Sequence, residues 1–248
     1  RVYDLPAANG QFDALRESIR FENVGKGRLG TVLVKPNEIG AIPIVRTTTA
    51  YTVPASRFRV VHERLARQIR DLASLEQGFN NALIEIYTNE YTSMGSHSDQ
   101  ALDLADGSFV AIFSHYKYPE RVRSPRKLIV ESKTTGNETF EIPLTHNSVV
   151  VFSVEANRRF RHKIVLGGSS PTPENEWMGI TFRTAKTFVR RQDERAYLLD
   201  GTPLTLATEE ERRAFFQMRR RENQEMDFRY PELNYTISES DILAPEGI

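Results

Sequence analysis

From Ser108 to Thr184 the chain breaks into short β-rich runs: Ser108 to His115, Lys127 to Glu131, Thr139 to Leu144, Ser148 to Val154, His162 to Leu166 and Trp177 to Thr184. Turn residues punctuate them, as in Thr135-Gly136-Asn137 and Gly167-Gly168-Ser169-Ser170-Pro171. Strands at this spacing, after a helical prelude, predict an α+β fold: a double-stranded β-helix (jelly-roll) core with supporting helices on one side. At 248 residues the chain is long for one domain, yet a decorated sandwich or barrel commonly reaches this size.

In the prelude, Phe12, Leu15 and Ile19 recur at steps of three and four, which predicts a short amphipathic helix from Gln11 to Arg20. Thr31 to Val34 reads as a strand, and the β-branched run Ile44 to Tyr51 as an edge strand or as a lid carrying Tyr51 over a pocket. The clearest helix spans Ser56 to Gln77, with Phe58, Val61, Leu65, Ile69, Leu72 and Leu75 as its apolar stripe, Ser56 as N-cap and Gly78 as the stop. Its arginines read as a solvated outer face. Thr208-Glu209-Glu210-Glu211 reads as a capping box opening a helix that ends near Arg219-Arg220-Arg221, a charge order that opposes the helix dipole. The tail from Met226 to Ile248 reads as irregular and wrapping the core. The predicted division is 1–40 as a helix and strand decoration, 40–190 as the jelly-roll core, and 191–248 as a C-terminal helix and tail.

Thirty-three basic residues balance thirty-three acidic ones, so no global field draws the chain to nucleic acid or anionic lipid. Cysteine is absent, which excludes disulfides, thiolate metal sites and cysteine nucleophiles together. Any transition metal must therefore be held by His and carboxylate. No apolar run approaches the roughly 20 residues that span a bilayer, and the N-terminus shows no basic-then-apolar signal pattern. An intracellular, soluble protein is expected, with cytoplasm and nucleus undistinguished.

Ala82 to Tyr87 reads as a buried strand, followed by a polar link and His97-Ser98-Asp99. In an extended chain, side chains two apart share a face, so His97 and Asp99 can converge on one cation. A second histidine, His162, opens a strand nine residues beyond the apolar run Ser148 to Ser153, and in a jelly roll it can complete a two-histidine, one-carboxylate face. That set leaves coordination positions open and suits non-haem Fe(II). Arg183 ends the run Gly179-Ile180-Thr181-Phe182, and a half-buried arginine there needs an anion, either an internal acid or the carboxylate of a co-substrate.

Taken in order, Phe79-Asn80, Leu83, Tyr87, His97-x-Asp99, His162 and Thr181-Phe182-Arg183 resemble the AlkB-like Fe(II)/2-oxoglutarate dioxygenases, with Arg46-x-Thr48-x-x-Tyr51 similar to that family's substrate-side lid. The resemblance covers roughly residues 40 to 190. It implies iron on His97, Asp99 and His162, 2-oxoglutarate held by Tyr87 and Arg183, O2 as oxidant, and substrate contacts from Arg46, Thr48 and Tyr51. The implied reaction hydroxylates a C–H or N-alkyl group and releases succinate and CO2. Glu85 stands where the family usually has Asn, and Trp177 where it usually has a further Arg; both replaced groups commonly help to hold the co-substrate. Gln100-Ala101-Leu102 stands where nucleobase-repair members carry acids. The substrate expected is thus a small molecule or other non-repair substrate. The alternatives are oxidative demethylation of alkylated DNA or RNA, and a non-catalytic metal-binding jelly roll.

Overall fold

In the computed structural model, residues 1–6, 8, 10–134, 138–168 and 174–246 are described. The predicted turn at 135–137, the Ser169-Ser170-Pro171 part of the next turn and residues 247–248 of the tail lie outside them. In chain order the elements are β1 (Val2–Asp4), α1 (Gln11–Glu17), β2 (Glu22–Gly25), β3 (Arg28–Val34), β4 (Ile42–Ile44), β5 (Ser56–Arg57), α2 (Val60–Leu72), β6 (Asn81–Tyr87) and β7 (Phe109–Tyr116). There follow β8 (Arg126–Ser132), β9 (Thr139–Leu144), β10 (Ser148–Ser153), α3 (Val154–Arg159), β11 (Phe160–Val165) and β12 (Trp177–Arg183). The chain closes with β13 (Thr187–Gln192), β14 (Arg195–Leu198), β15 (Pro203–Leu206), α4 (Glu209–Glu222) and β16 (Tyr235–Thr236).

A large antiparallel sheet runs in the order β1-β10-β7-β12-β6-β3-β2, with β5 added in parallel to β3, and a small sheet runs β11-β8-β9. Alternation along the strands gives the large sheet two apolar faces. Ala82, Ile84, Ile86, Phe113, Met178, Ile180 and Phe182 point one way and bury against Phe12 and Leu15 of α1 and Leu65 and Ile69 of α2. Tyr87, Ile112, Tyr116, Val150 and Trp177 point the other way and bury against Leu128, Val130, Leu144 and Ile164 of the small sheet. Helices on one side and a second sheet on the other make this the α+β jelly-roll core that the strand spacing predicts. The N-terminal residues contribute β1, β2 and the interior strand β3 to the same sheet.

Several local expectations give way to tertiary contacts. The long helix begins at Val60 rather than near Ser56, because Ser56 and Arg57 pair with Leu33 and Val34 of β3 and the Phe58 N–H donates to the Val34 carbonyl. His62 reaches back to accept from the Arg59 N–H at 3.0 Å in place of a serine cap. The helix stops at Leu72, with Ser74 in the left-handed region at φ 53°, so Gly78 is not the cap. The run Ile44 to Tyr51 is strand only up to Ile44, since the N–H groups of Arg46 and Tyr51 are given to Asp103 and Ser238 side chains instead of a ladder. A third sheet, β16-β15-β14-β13-β4, has no counterpart in the sequence reading. Its β13–β14 hairpin turns through Asp193 and Glu194 at φ 48° and 63°, a left-handed pair without the usual Asn or Gly. In the tail, Tyr235 and Thr236 extend that sheet and Glu246 bonds back to Ala55 and Arg57.

Two buried histidines away from the metal-ligand candidates tie stability to pH. Burial and Arg59 push His62 down to about 4, and burial and the neighbouring His146 push His115 down to about 4. The unfolded chain therefore takes up protons below its ordinary histidine range, near 6.5, before the folded chain does, so stability falls as pH drops from about 6.5 toward 4. Denaturant titrations across that window should show this slope, and His62→Gln should reduce it by about one proton.

Candidate metal centre

The site is assembled where two segments far apart in sequence run antiparallel, with bridges at Ser93–Val165 and His97–His162. The His97 N–H donates to the His162 carbonyl at 2.9 Å and the His162 N–H to the His97 carbonyl at 2.7 Å, so the two residues face each other across an antiparallel pair. Opposed residues of such a pair present their side chains to one face. The imidazole centroids are 4.8 Å apart. Asp99, two residues on, completes the group: its Oδ1 lies 3.9 Å from His97 Nε2 and 3.6 Å from His162 Nε2. Among the described residues these three form a cluster whose ligand atoms all lie within 4.8 Å of one another and could hold a metal ion.

Besides the backbone bonds of residues 92–97 to the segment of β11, the loop that carries His97 and Asp99 is fixed by side chains. Asn157, on α3, accepts from the Asp99 N–H at 2.7 Å and donates to the Asp99 carbonyl at 2.6 Å. Ser98 Oγ donates to the Phe160 carbonyl at 2.9 Å. From α4, Asn223 accepts from the Ser98 N–H, Arg219 donates to the Ser98 carbonyl and Glu222 accepts from the Ala101 N–H. Gly95 O lies 2.9 Å from His97 Nδ1. A proton held there leaves Nε2 free to ligate.

Electrostatics put each group in its ligand form. Burial lowers both imidazoles, His162 to about 3, which keeps them neutral. Burial alone would raise Asp99, but Arg183, whose Nε donates to Asp99 Oδ2 at 2.8 Å, and the two histidines hold it well below the usual carboxylate range. Two neutral imidazoles and an ionised carboxylate suit a divalent transition metal.

In front of the cluster lies a cavity of about 480 Å³. Its wall includes Arg28, Thr47, Thr48, Thr49, Leu83 and Glu85, and on the other side Gln100, Arg183, Phe216 and Arg220. Of the residues singled out in the sequence, Thr48, Glu85, His97, Asp99, Gln100 and Arg183 lie on this wall, whereas His162 lines a neighbouring apolar pocket with Val130, Phe152 and Phe160. Arg46 does not: its guanidinium is buried on Asp103 and on the carbonyls of Leu233 and Tyr235, a structural clamp on the tail. Tyr51 is buried, with its ring packed over Gly30, where a Cβ would come within 2.8 Å of the hydroxyl. Tyr87 donates its hydroxyl to Glu85 Oε2 at 2.7 Å, and Trp177 donates Nε1 to Ser114 Oγ at 2.8 Å.

Sequence reading passes over Asn157, which no motif marks, and over the holding role of α4. There Phe215, Arg219 and Glu222 are buried at helical spacing, a partly polar stripe that a search for apolar periodicity skips. Arg219 serves the Ser98 carbonyl rather than the dipole alone.

Residues 38–183 match the sequence pattern of the 2OG-Fe(II) oxygenase superfamily, and the chain belongs to it. Membership brings Fe(II), 2-oxoglutarate and O2 as cofactor and co-substrates, and the donor set of His97, Asp99 and His162 fits the iron. No curated protein matches the chain at a significant level. Among solved structures, a prolyl-4-hydroxylase from Pseudomonas putida is similar, with a TM-score of 0.42 and 11% identity over 74% of this chain and 91% of that one. Among the described residues no helix is long and apolar enough to cross a membrane.

Replacing Asn157 by Ala removes both hydrogen bonds on the Asp99 backbone. Metal titration should show affinity weakened by about 10- to 100-fold, the range found when supporting partners of ligands are lost.

Proposed function

We propose that the chain is an Fe(II)/2-oxoglutarate-dependent hydroxylase of AlkB-like type, acting on a C–H or N-alkyl group of a small molecule or other non-repair substrate. The observation that carries this reading is the convergence of His97, Asp99 and His162, with His97 and Asp99 on the wall of a cavity large enough for a small ligand. In it, His97, Asp99 and His162 hold the iron. When bound, iron with 2-oxoglutarate and O2 supplies the oxidising chemistry. Arg183 keeps Asp99 ionised through its Nε and has no other partner among the described residues, which leaves its remaining N–H groups for a carboxylate of the co-substrate. Tyr87 acts on that region through Glu85.

For the substrate, the informative residue is Gln100. It is 5% exposed, lies on the cavity wall, and both its Nε2 and Oε1 are buried without a partner among the described residues. A buried carboxamide with an unmet donor and an unmet acceptor is costly and favours a ligand that offers both, such as an amide. Phe216 and Met94 supply apolar surface on the same wall.

Incubating iron-loaded protein with 2-oxoglutarate in air should release succinate, coupled to substrate or uncoupled, and His162→Ala should abolish the release. An absence of succinate from the unmodified protein under every condition would overturn the reading. With substrate in hand, Gln100→Ala should raise KM about 10-fold or more. Salt-sensitive binding of oligonucleotides would move the substrate to nucleic acid.

A further inference from the structure

2-Oxoglutarate is a dianion, and a carboxylate taken into a largely buried cavity needs a cation with donors to spare. Four arginines line the cavity, and their existing bonds separate them. Arg183 is committed through Nε to Asp99, at the metal end. Arg219 has both Nη atoms committed, to the Ser98 carbonyl and Glu222, although its Nε, like that of Arg28, is buried without a partner. Arg220 stands exposed at the rim. Arg28 is different: its Nη1 is 3.6 Å from Glu85 Oε1, its Nη2 reaches Thr49 Oγ1 only at 3.4 Å, and its Nε is buried without a partner. A guanidinium with one loose ion pair, one long hydrogen bond and one orphaned donor is built for an anion it does not yet have.

Register places this group. Arg28, Tyr87 and Trp177 form one cross-strand row of β3, β6 and β12, and Gly30, Glu85 and Gly179 form the next. A Cβ at Gly30 would meet the Tyr51 hydroxyl and one at Gly179 the Trp177 ring, so aromatic rings roof the strands on either side of Glu85. Asn81 and Arg183 stand in the row at the far end of the same face, roughly 20 Å of strand away from Arg28, and both arginines lean into the one cavity. The other arginine near this row, Arg126, does not compete. Its Nη atoms are taken by the carbonyls of Tyr91 and Thr88, and it is not on the cavity wall.

We propose that Arg28 is the anchor for the distal carboxylate of 2-oxoglutarate, with Glu85 occupying the guanidinium in the meantime. The inference rests on the proposed function. Charges balance in it: Asp99 answers Arg183, Glu85 answers Arg28, and the two negative charges of the co-substrate answer the two positive charges of iron. Glu85 shares the guanidinium with the incoming carboxylate, so the two anions repel and its charge weakens binding. Trp177, the chain's single tryptophan, lies in the same row and reports on it.

The test is the affinity of the Mn(II)-loaded protein for 2-oxoglutarate, read by Trp177 fluorescence and by calorimetry, beside 2-oxobutyrate, which lacks the distal carboxylate. The unmodified protein should prefer 2-oxoglutarate strongly. Arg28→Gln should weaken 2-oxoglutarate binding about 10- to 100-fold and leave 2-oxobutyrate little changed, so that the preference collapses, and Arg28→Lys should restore part of it. Glu85→Gln should tighten 2-oxoglutarate several-fold, and it decides the matter if Arg28→Gln does not fold. If the unmodified protein binds 2-oxoglutarate and Arg28→Gln keeps the same preference, or Glu85→Gln binds no tighter, Arg28 is not the anchor. If the unmodified metal-loaded protein binds no 2-oxoglutarate, the proposed function itself falls.

Discussion

The reciprocal backbone hydrogen bonds between His97 and His162 are what the functional end of this molecule depends on. The first residue sits in an irregular loop and the second in an edge strand of the small sheet, so nothing local brings their rings together. The antiparallel pairing of residues 92–97 with the segment of β11 does, and its bridge at His97 and His162 sets both side chains on one face with their centroids 4.8 Å apart. Asp99 follows from the two-residue alternation of the extended chain. Beyond this pairing the loop is tied from α3, from α4 and from the α4 C-cap: Asn157 on Asp99, Asn223 and Arg219 on Ser98, Glu222 on Ala101.

Those ties change how the ends of the chain relate to its core. The superfamily match ends at Arg183, yet α4 and its C-cap Asn223 lie beyond it and supply three of the residues that fix the loop of His97 and Asp99, as well as the Phe216 and Arg220 wall of the cavity. At the other end, β3 precedes the match and is an interior strand of the large sheet, with Arg28 on the same cavity. Both flanks are therefore structural parts of the site, and truncation to the matched residues would strip the loop of its C-terminal contacts and leave it with its bonds to β11 and α3.

What the residues disclosed in advance follows the range of the interactions involved. The short strands after Ser108 were legible because alternation and turn chemistry are local, and they led directly to the two-sheet core. The convergence of His97, Asp99 and His162 is legible because His-x-Asp needs only extended geometry and His162 only a strand start. Helix limits at Ser56 and Gly78 were misread because pairing with β3 outweighs the serine cap and Ser74 adopts the left-handed turn itself. Arg46 looked like a lid residue, but Asp103 and two tail carbonyls consume it, and none of these partners is near in sequence. The Asp193-Glu194 hairpin hid for a chemical reason: acidic residues at positive φ carry none of the signal that Asn-Gly would.

The departures at Glu85 and Trp177 become intelligible once strands are read across rather than along. Along β12, a bulky neutral indole at Trp177 looks like the loss of a cation. Across the sheet, Trp177 and Arg28 are members of one row with Tyr87 between them, so a positive charge is present at that level of the barrel, two strands over. Glu85 fits the same logic. Buried beside Tyr87 and flanked by two glycines, it would be an expensive carboxylate without a cation in reach, and Arg28 is the cation within reach. Arginine on β3, glutamate on β6 and tryptophan on β12 are thus a single correlated rearrangement of one surface, and no one of them can be interpreted from its own strand.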